Sequence, residues 1–229
     1  MSSSTLYIIP TPIGNLADIT YRGVQCLREV DFIACEDTRT SKVLLNHYNI
    51  DKPLIAFHQH NEHRQTSRIC ERIKSGHSGA LITDAGSPGI SDPGFLLVRE
   101  AYKNNLNVVV LPGPDAATTA LLASGLPCDR YIFEGFLPHK KGRKSRIERF
   151  IDEDRTIVLY ESPHRIMKLL NELLEHCDAE RMGAIVRELT KTYEEVIRGS
   201  LKQIRDEVNE RITIKGEICM VIAGKNYKE

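Results

Sequence analysis

The sequence predicts an α/β protein of two domains. Residues 1–125 form an N-terminal α/β domain on a mainly parallel sheet with helices on both faces, and residues 126–229 a C-terminal mixed α/β domain, with a ligand cleft between them. Three observations lead there. Apolar runs alternate with amphipathic segments through the first half, the pattern of a parallel sheet wrapped by helices. Three of those runs end in turns rich in Gly and Pro, where backbone approaches a ligand closely at the carboxyl ends of strands. Connections between 186 and 201 are short, which favours antiparallel neighbours in the second half.

The elements follow in order. Leu6-Tyr7-Ile8-Ile9 is a strand closed by Pro10-Thr11-Pro12-Ile13-Gly14-Asn15. A helix at about 20–30 leads to strands at 32–35 and 54–57. Then come helix 62–75, strand 79–83, helix 94–104, strand 107–111 and helix 115–124. That last helix is rich in Ala, which permits close packing, and Gly125 is placed to stop it. Gly125-Leu126-Pro127 reads as a hinge. Beyond it, strands fall at 130–133, 156–160, 182–186 and 218–222, with 194–198 an edge strand and helices at about 164–176 and 201–210.

Composition narrows the function classes. Lys plus Arg equals Asp plus Glu at 31 each, so a nucleic-acid partner would have to be met by a local basic patch. No apolar run approaches the ~20 residues of a membrane span. The start Met1-Ser2-Ser3-Ser4-Thr5 lacks the features of a signal peptide, so a cytoplasmic protein without a membrane partner is expected. Six cysteines without a Cys-x-x-Cys pair point to free thiols. His58, His60 and His63 alternate along one segment, but no second cluster completes a metal site, and no metal is expected. Neither a Gly-x-Gly-x-x-Gly nor a Gly-x-x-x-x-Gly-Lys-Ser/Thr motif is present, which argues against dinucleotide and phosphate-loop chemistry.

The remaining motifs sit at strand ends. Thr83 to Gly94, Thr-Asp-Ala-Gly-Ser-Pro-Gly-Ile-Ser-Asp-Pro-Gly, follows an apolar run; Asp84 there is either a turn former or a contact to a ribose or cationic centre. Cys35-Glu36-Asp37-Thr38-Arg39 is either a capping and salt-bridge cluster or a clamp in which Arg39 holds an anion and a carboxylate accepts a proton. His139-Lys140-Lys141-Gly142-Arg143-Lys144-Ser145-Arg146 is the one strong basic run. It is either a solvated face or a phosphate-binding patch with Phe133 and Phe136 nearby. In Glu161-Ser162-Pro163-His164-Arg165, Ser162 is a natural helix N-cap. Arg187-Glu188-Leu189-Thr190-Lys191 places alternating charges at a strand exit.

Eight segments in order resemble one family over essentially the whole chain. They are Pro-Thr-Pro-Ile-Gly-Asn-Leu (10–16) with Asp18-Ile19-Thr20, Glu-Asp-Thr-Arg (36–39), the loop 84–94, Ser-Gly-Leu-Pro (124–127), Glu-Gly-Phe-Leu-Pro (134–138), Tyr-Glu-Ser-Pro-His-Arg (160–165), Arg-Glu-Leu-Thr-Lys (187–191) and Lys-Gly-Glu (215–217). They look like the bacterial 16S ribosomal RNA (cytidine-2′-O-)-methyltransferases of the tetrapyrrole-methylase-like group. The resemblance implies a two-domain homodimer that binds S-adenosyl-L-methionine in the interdomain cleft and methylates a cytidine ribose in 16S rRNA within the 30S subunit. By position, the cofactor contacts it implies are Pro12, Ile13, Gly14, Asp84, Ser87, Asp115, Ala116, Tyr160 and Leu189. Where many relatives carry Ser after Pro-Gly-Pro, this chain has Asp115.

Within that reading, Glu36, Asp37 and Glu161 are candidate bases, Arg39 and Lys191 candidate substrate clamps, and Lys140, Lys141, Arg143 and Lys144 candidate phosphate contacts. Two rival functions are a methylase of a tetrapyrrole or other small molecule, and a non-catalytic RNA-binding or ribosome-assembly protein.

Overall fold

A computed structural model describes residues 4–211 and 214–228. The chain divides into two compact units, Met1–Asp115 and Ala116–Glu229. The division falls ahead of the expected boundary after residue 125. The reason lies in helix α5 (Ala116–Ala123), which packs on strands of the second unit.

In the first unit, strands β1 (Thr5–Ile8), β2 (Phe32–Cys35), β3 (Leu54–Ala56), β4 (Gly79–Ile82) and β5 (Asn107–Val110) form one sheet in the order β3-β2-β4-β1-β5. Every pairing is parallel. Side chains alternate across this sheet, so two cores result. Tyr7, Ile33, Cys35, Ala80 and Ile82 face helices α1 (Tyr21–Glu29) and α2 (Thr38–His47). Leu6, Ile8, Phe32, Ala34 and Leu81 face α3 (Glu62–Lys74) and α4 (Phe95–Lys103). Parallel pairing sends the carboxyl ends of all five strands to one edge, and the quoted loops gather there.

The second unit is a mixed sheet of β6 (Tyr131–Phe136), β7 (Thr156–Glu161), β8 (Met182–Arg187), β9 (Glu195–Ser200) and β10 (Ile218–Ile222), in the order β6-β7-β10-β8-β9. Only β6 and β7 run parallel; β10 lies antiparallel between β7 and β8, and β9 is the edge. Helices α6 (Arg143–Phe150), α7 (Ile166–His176) and α8 (Leu201–Glu210) close one core over Ile157, Leu159, Ile185 and Met220. Helix α5 packs against β7 and β10, and the Cys219 thiol points at the Ala116 carbonyl, 3.7 Å away. Buried Arg181 donates to the carbonyls of Phe150, Glu153 and Ala223, which fastens the end of β10 to the end of α6.

Two local details are added to the sequence reading and one expectation, for Ser162, is corrected. The basic run opens a helix, α6, because Gly142 takes a left-handed conformation at its N-cap and Ile147 and Phe150 are buried. The cap of α2 is Asp37, whose carboxylate accepts the Arg39 N–H at 2.8 Å, and Thr38 is the first helical residue. Ser162 is no N-cap: residues 162–165 form a turn, the Arg165 N–H donating to the Ser162 carbonyl, and the helix begins at Ile166.

Candidate functional site

The strand-end edge of the first unit is stitched together by its loops. Thr11 and Gly86 exchange both backbone hydrogen bonds, at 2.9 and 3.0 Å, and the Thr11 hydroxyl donates to the Thr83 carbonyl at 2.9 Å. This joins the loop after β1 to the loop after β4. The Ser87 hydroxyl reaches the Pro114 carbonyl at 3.5 Å, joining the loop after β5. The Asp37 N–H donates to Asp84 Oδ1 at 3.2 Å, joining the loop after β2. Gly113 lies so close to Pro10 that a Cβ there would sit 2.8 Å from the proline ring. Pro12, Ile13, Gly14, Asp84, Ser87 and Asp115 therefore belong to one edge, with Pro12 and Ile13 buried and Gly14 exposed. Ala116 opens α5 in the second unit.

Three carboxylates at this edge have raised pKa values, burial being the first cause in each and a neighbouring carboxylate a further one. Burial, then the Glu36 and Asp84 charges, lift Asp92 to about 6. Glu36 is raised by burial and by Asp84, against the opposing pull of the Asp84 backbone N–H and of His58. Asp84 is raised by burial and by Asp37, though the Asp37 N–H offsets part of it. Asp92 was not singled out from the sequence, although it lies in the same Gly- and Pro-rich loop as Asp84. Its raised pKa comes from burial first and then from Glu36, just past the end of β2, and from Asp84.

Asp37 is a different case. Arg39 donates to both of its oxygens, at 3.1 and 2.7 Å, and holds its carboxyl at about 2. A carboxylate so held is a poor base. Arg39 is 89% exposed, and its guanidinium faces its own cap residue. Among the described residues no group of three or more His, Cys, Asp or Glu side chains is arranged to hold a metal. His58 stacks edge-on with His60 and approaches Asn61 at 3.2 Å.

In the second unit the candidate residues are tied up in ion pairs. Glu161 is fully buried, its two oxygens taken by Arg143 at 3.2 Å and Arg165 at 2.7 Å. Arg143, 3% exposed, also pairs with Glu172 at 2.7 Å. The placement corrects two readings: Glu161 is the centre of a structural network and not a free base, and Arg143 is not among the phosphate-facing residues. Lys140, Lys141 and Lys144 remain exposed beside it. Tyr160 stacks with Phe133 and Phe136, ring centroids 5.0 and 5.4 Å apart.

The segments 187–191 and 215–217 interlock. The Glu188 N–H donates to the Glu217 carbonyl, and the Glu217 N–H returns a bond to Glu188 Oε1, each at 2.9 Å. Lys191 bridges Glu188 at 2.9 Å and Glu217 at 3.0 Å. Gly216 has a φ of 91°, and any side chain there would overlap Glu188. Leu189 is buried between two left-handed residues, Glu188 and Thr190. Beside this loop lies a half-open pocket of about 230 Å³ lined by Arg187, Glu188, Tyr193, Arg211, Ile214 and Lys215. The two segments lie far apart in sequence, and only the fold joins them.

Comparison with known proteins gives concordant results. Residues 5–205 match the family of tetrapyrrole (corrin/porphyrin) methylases. A protein of Haemophilus influenzae named ribosomal RNA small subunit methyltransferase I is 48% identical over 222 residues, 96% of this chain and 78% of the relative. A Hydrogenobaculum protein of the same name is 46% identical over 227 residues, 98% of each chain. The crystal structure of a uroporphyrin-III C-methyltransferase from Thermus thermophilus superposes with a TM-score of 0.66 at 18% identity, over 96% of this chain and 94% of that one. That likeness shows the fold alone: two α/β domains of the tetrapyrrole-methylase kind.

Proposed function

The chain belongs to the tetrapyrrole (corrin/porphyrin) methylase family and is a methyltransferase, and from that premise we propose that it methylates the 2′-hydroxyl of a cytidine in 16S rRNA with S-adenosyl-L-methionine as donor. The observation that carries the reading is the near-full-length identity to relatives named for small-subunit ribosomal RNA. Action on the 30S subunit, in the cytoplasm and as a homodimer, completes the proposal and rests on the family resemblance.

The first unit's strand edge fits a cationic donor. Asp84, Glu36 and Asp92 are carboxylates raised by burial and by neighbouring acid charges, which a bound cation would offset. Backbone of Pro12, Ile13 and Gly14 and the Ser87 hydroxyl lie on the same edge and would hold the donor's polar groups, as would Asp115. In the second unit, Ala116, Tyr160 and Leu189 complete the proposed contacts. S-adenosylmethionine supplies, when bound, an electrophilic methyl group on a sulfonium centre. The chain's own contribution is to orient donor and ribose and to accept the hydroxyl proton. Of the candidate bases, Glu36 is the one with no arginine or lysine partner among the described residues, and we assign the proton to its carboxylate. Arg39 and Lys191 are retained as substrate clamps.

Mapping 2′-O-methylation on 16S rRNA by primer extension and mass spectrometry tests the reading. Purified protein should restore one methylated cytidine to 30S subunits from cells lacking the gene, in the presence of S-adenosylmethionine. Cofactor binding without any transfer to 30S subunits would favour the non-catalytic assembly role instead.

A further inference from the structure

We propose that the pocket beside the interlocked segments 187–191 and 215–217 receives one unstacked nucleobase of the RNA substrate, a site that rests on the RNA reading above and extends it. Four observations on the second unit support this.

The pocket is built, not incidental. Glu188 in its wall is held by the Glu217 backbone and by Lys191, and left-handed positions at Glu188 and Thr190 flank Leu189 at φ 51° and 65°. Left-handed backbone at ordinary residues is costly and collects at sites of function. Gly216 is required there because a side chain would displace Glu188.

Its cations are already spoken for. Arg187 donates to Glu195 at 2.7 Å and to the Lys215 carbonyl at 3.0 Å, while Arg211 grips both oxygens of Glu195 at 2.8 Å and reaches Glu207 at 2.6 Å. Lys215 alone among the lining cations makes no ion pair with the described residues. A phosphate would find one free charge, too little for a site of anion affinity.

What the pocket offers is stacking surface. Tyr193 is 72% exposed with its hydroxyl bonded to no described residue, and Ile214 supplies an apolar flank that packs on the core. Single-stranded bases are held by such means, stacked on aromatic rings or guanidinium planes and hydrogen-bonded at their edges. The guanidinium planes of Arg187 and Arg211 are fixed by Glu195, and Glu188 presents a carboxylate to an exocyclic amino group.

Size points the same way. At about 230 Å³ the pocket falls below the roughly 300–1,000 Å³ typical of whole-ligand sites, so it suits one base better than an entire cofactor.

The test is steady-state methylation of 30S subunits at saturating S-adenosylmethionine, with Tyr193→Ala and Tyr193→Phe beside the parent. Loss of the ring should raise KM for 30S about tenfold with little change in kcat, while calorimetric affinity for S-adenosylmethionine and the melting temperature stay at the parental values. Tyr193→Phe, which keeps the ring, should recover the parental KM. A KM for Tyr193→Ala within about twofold of the parent, or a Phe variant as impaired as the Ala variant, overturns the stacking site. Weakened S-adenosylmethionine binding in Tyr193→Ala gives the pocket to the cofactor and overturns it as well. If the parent binds S-adenosylmethionine yet methylates no 30S subunit, the RNA reading itself fails, and the base pocket falls with it.

Discussion

The two units treat their acidic residues in opposite ways. At the strand edge of the first, Glu36, Asp84 and Asp92 have no arginine or lysine partner among the described residues, and burial first, then neighbouring carboxylates, push all three upward. At the strand ends of the second, each acid is matched: Glu161 by Arg143 and Arg165, Glu195 by Arg187 and Arg211, Glu188 by Lys191. Glu195 is held at about 2 by the two guanidiniums. Acids that are compensated internally hold the fold together. Acids left uncompensated store repulsion that an external cation can relieve, so the contrast separates structure from binding without reference to any ligand.

The contrast is broken most severely at its most buried point. Glu161→Gln leaves Arg165 without its carboxylate and Arg143 with Glu172 alone, and removing one partner of a buried pair costs about 3–5 kcal/mol. Urea denaturation should show a loss of that size; a loss under about 1 kcal/mol would mean that Glu161 does not anchor the network. Asp84→Ala should act on the other side of the comparison, weakening S-adenosylmethionine binding by about 1–3 kcal/mol in a folded protein. Calorimetry that finds parental affinity removes Asp84 from the site.

Asp92 sharpens the comparison through pH. Its pKa in the fold, about 6, lies above the ordinary 3.8, so the protonated form is favoured by folding. That contribution is fully present below pH 3.8 and lost as pH rises through about 6. Asp92→Asn should therefore raise stability at pH 8 by about 1–2 kcal/mol and flatten the pH profile between 4 and 6. Binding of a cation should show the opposite trend in the parent, weakening as pH falls below 6. A stability profile with the same slope in both proteins would mean that Asp92 is not the titrating group.

The smallest effects belong to the exposed cations. Changing Lys140, Lys141 and Lys144 together to Ala should leave cofactor affinity intact and flatten the salt dependence of RNA binding, since fewer counterions are released. Equal slopes in a salt titration would make the run a solvated face. Arg39→Lys should lower methyl transfer while the melting temperature holds, because an ammonium cannot reproduce a two-point fork. A clear drop in melting temperature would place Arg39 with the structural pairs of the second unit.

Much of this was legible from residues alone. The five parallel strands show because each is a short apolar run bounded by turn residues, and their loops could be assigned to one edge because parallel order leaves no other choice. Helix α2 was legible only as one reading of residues 35–39, a capping cluster that opens a helix, and its cap, Asp37, also bonds Asp84. Arg143 was indistinguishable from Lys140 and Lys144 in composition; only the turn that buries it beside Glu161 sets it apart. Asp92 was visible, but its elevated pKa depends on Glu36 and Asp84, and such a sum is made by packing.

Strand β10 sits in the middle of its sheet although it comes last in chain order among the described strands. During synthesis, β7 and β8 therefore emerge with a gap between them and present open edges until Ile218–Ile222 leaves the ribosome. The first unit has all five of its strands long before that moment and is free to fold as it appears. Birth order thus divides the molecule: a parallel half that is finished early, and a mixed half that stays open to wrong partners until β10 slides into the centre.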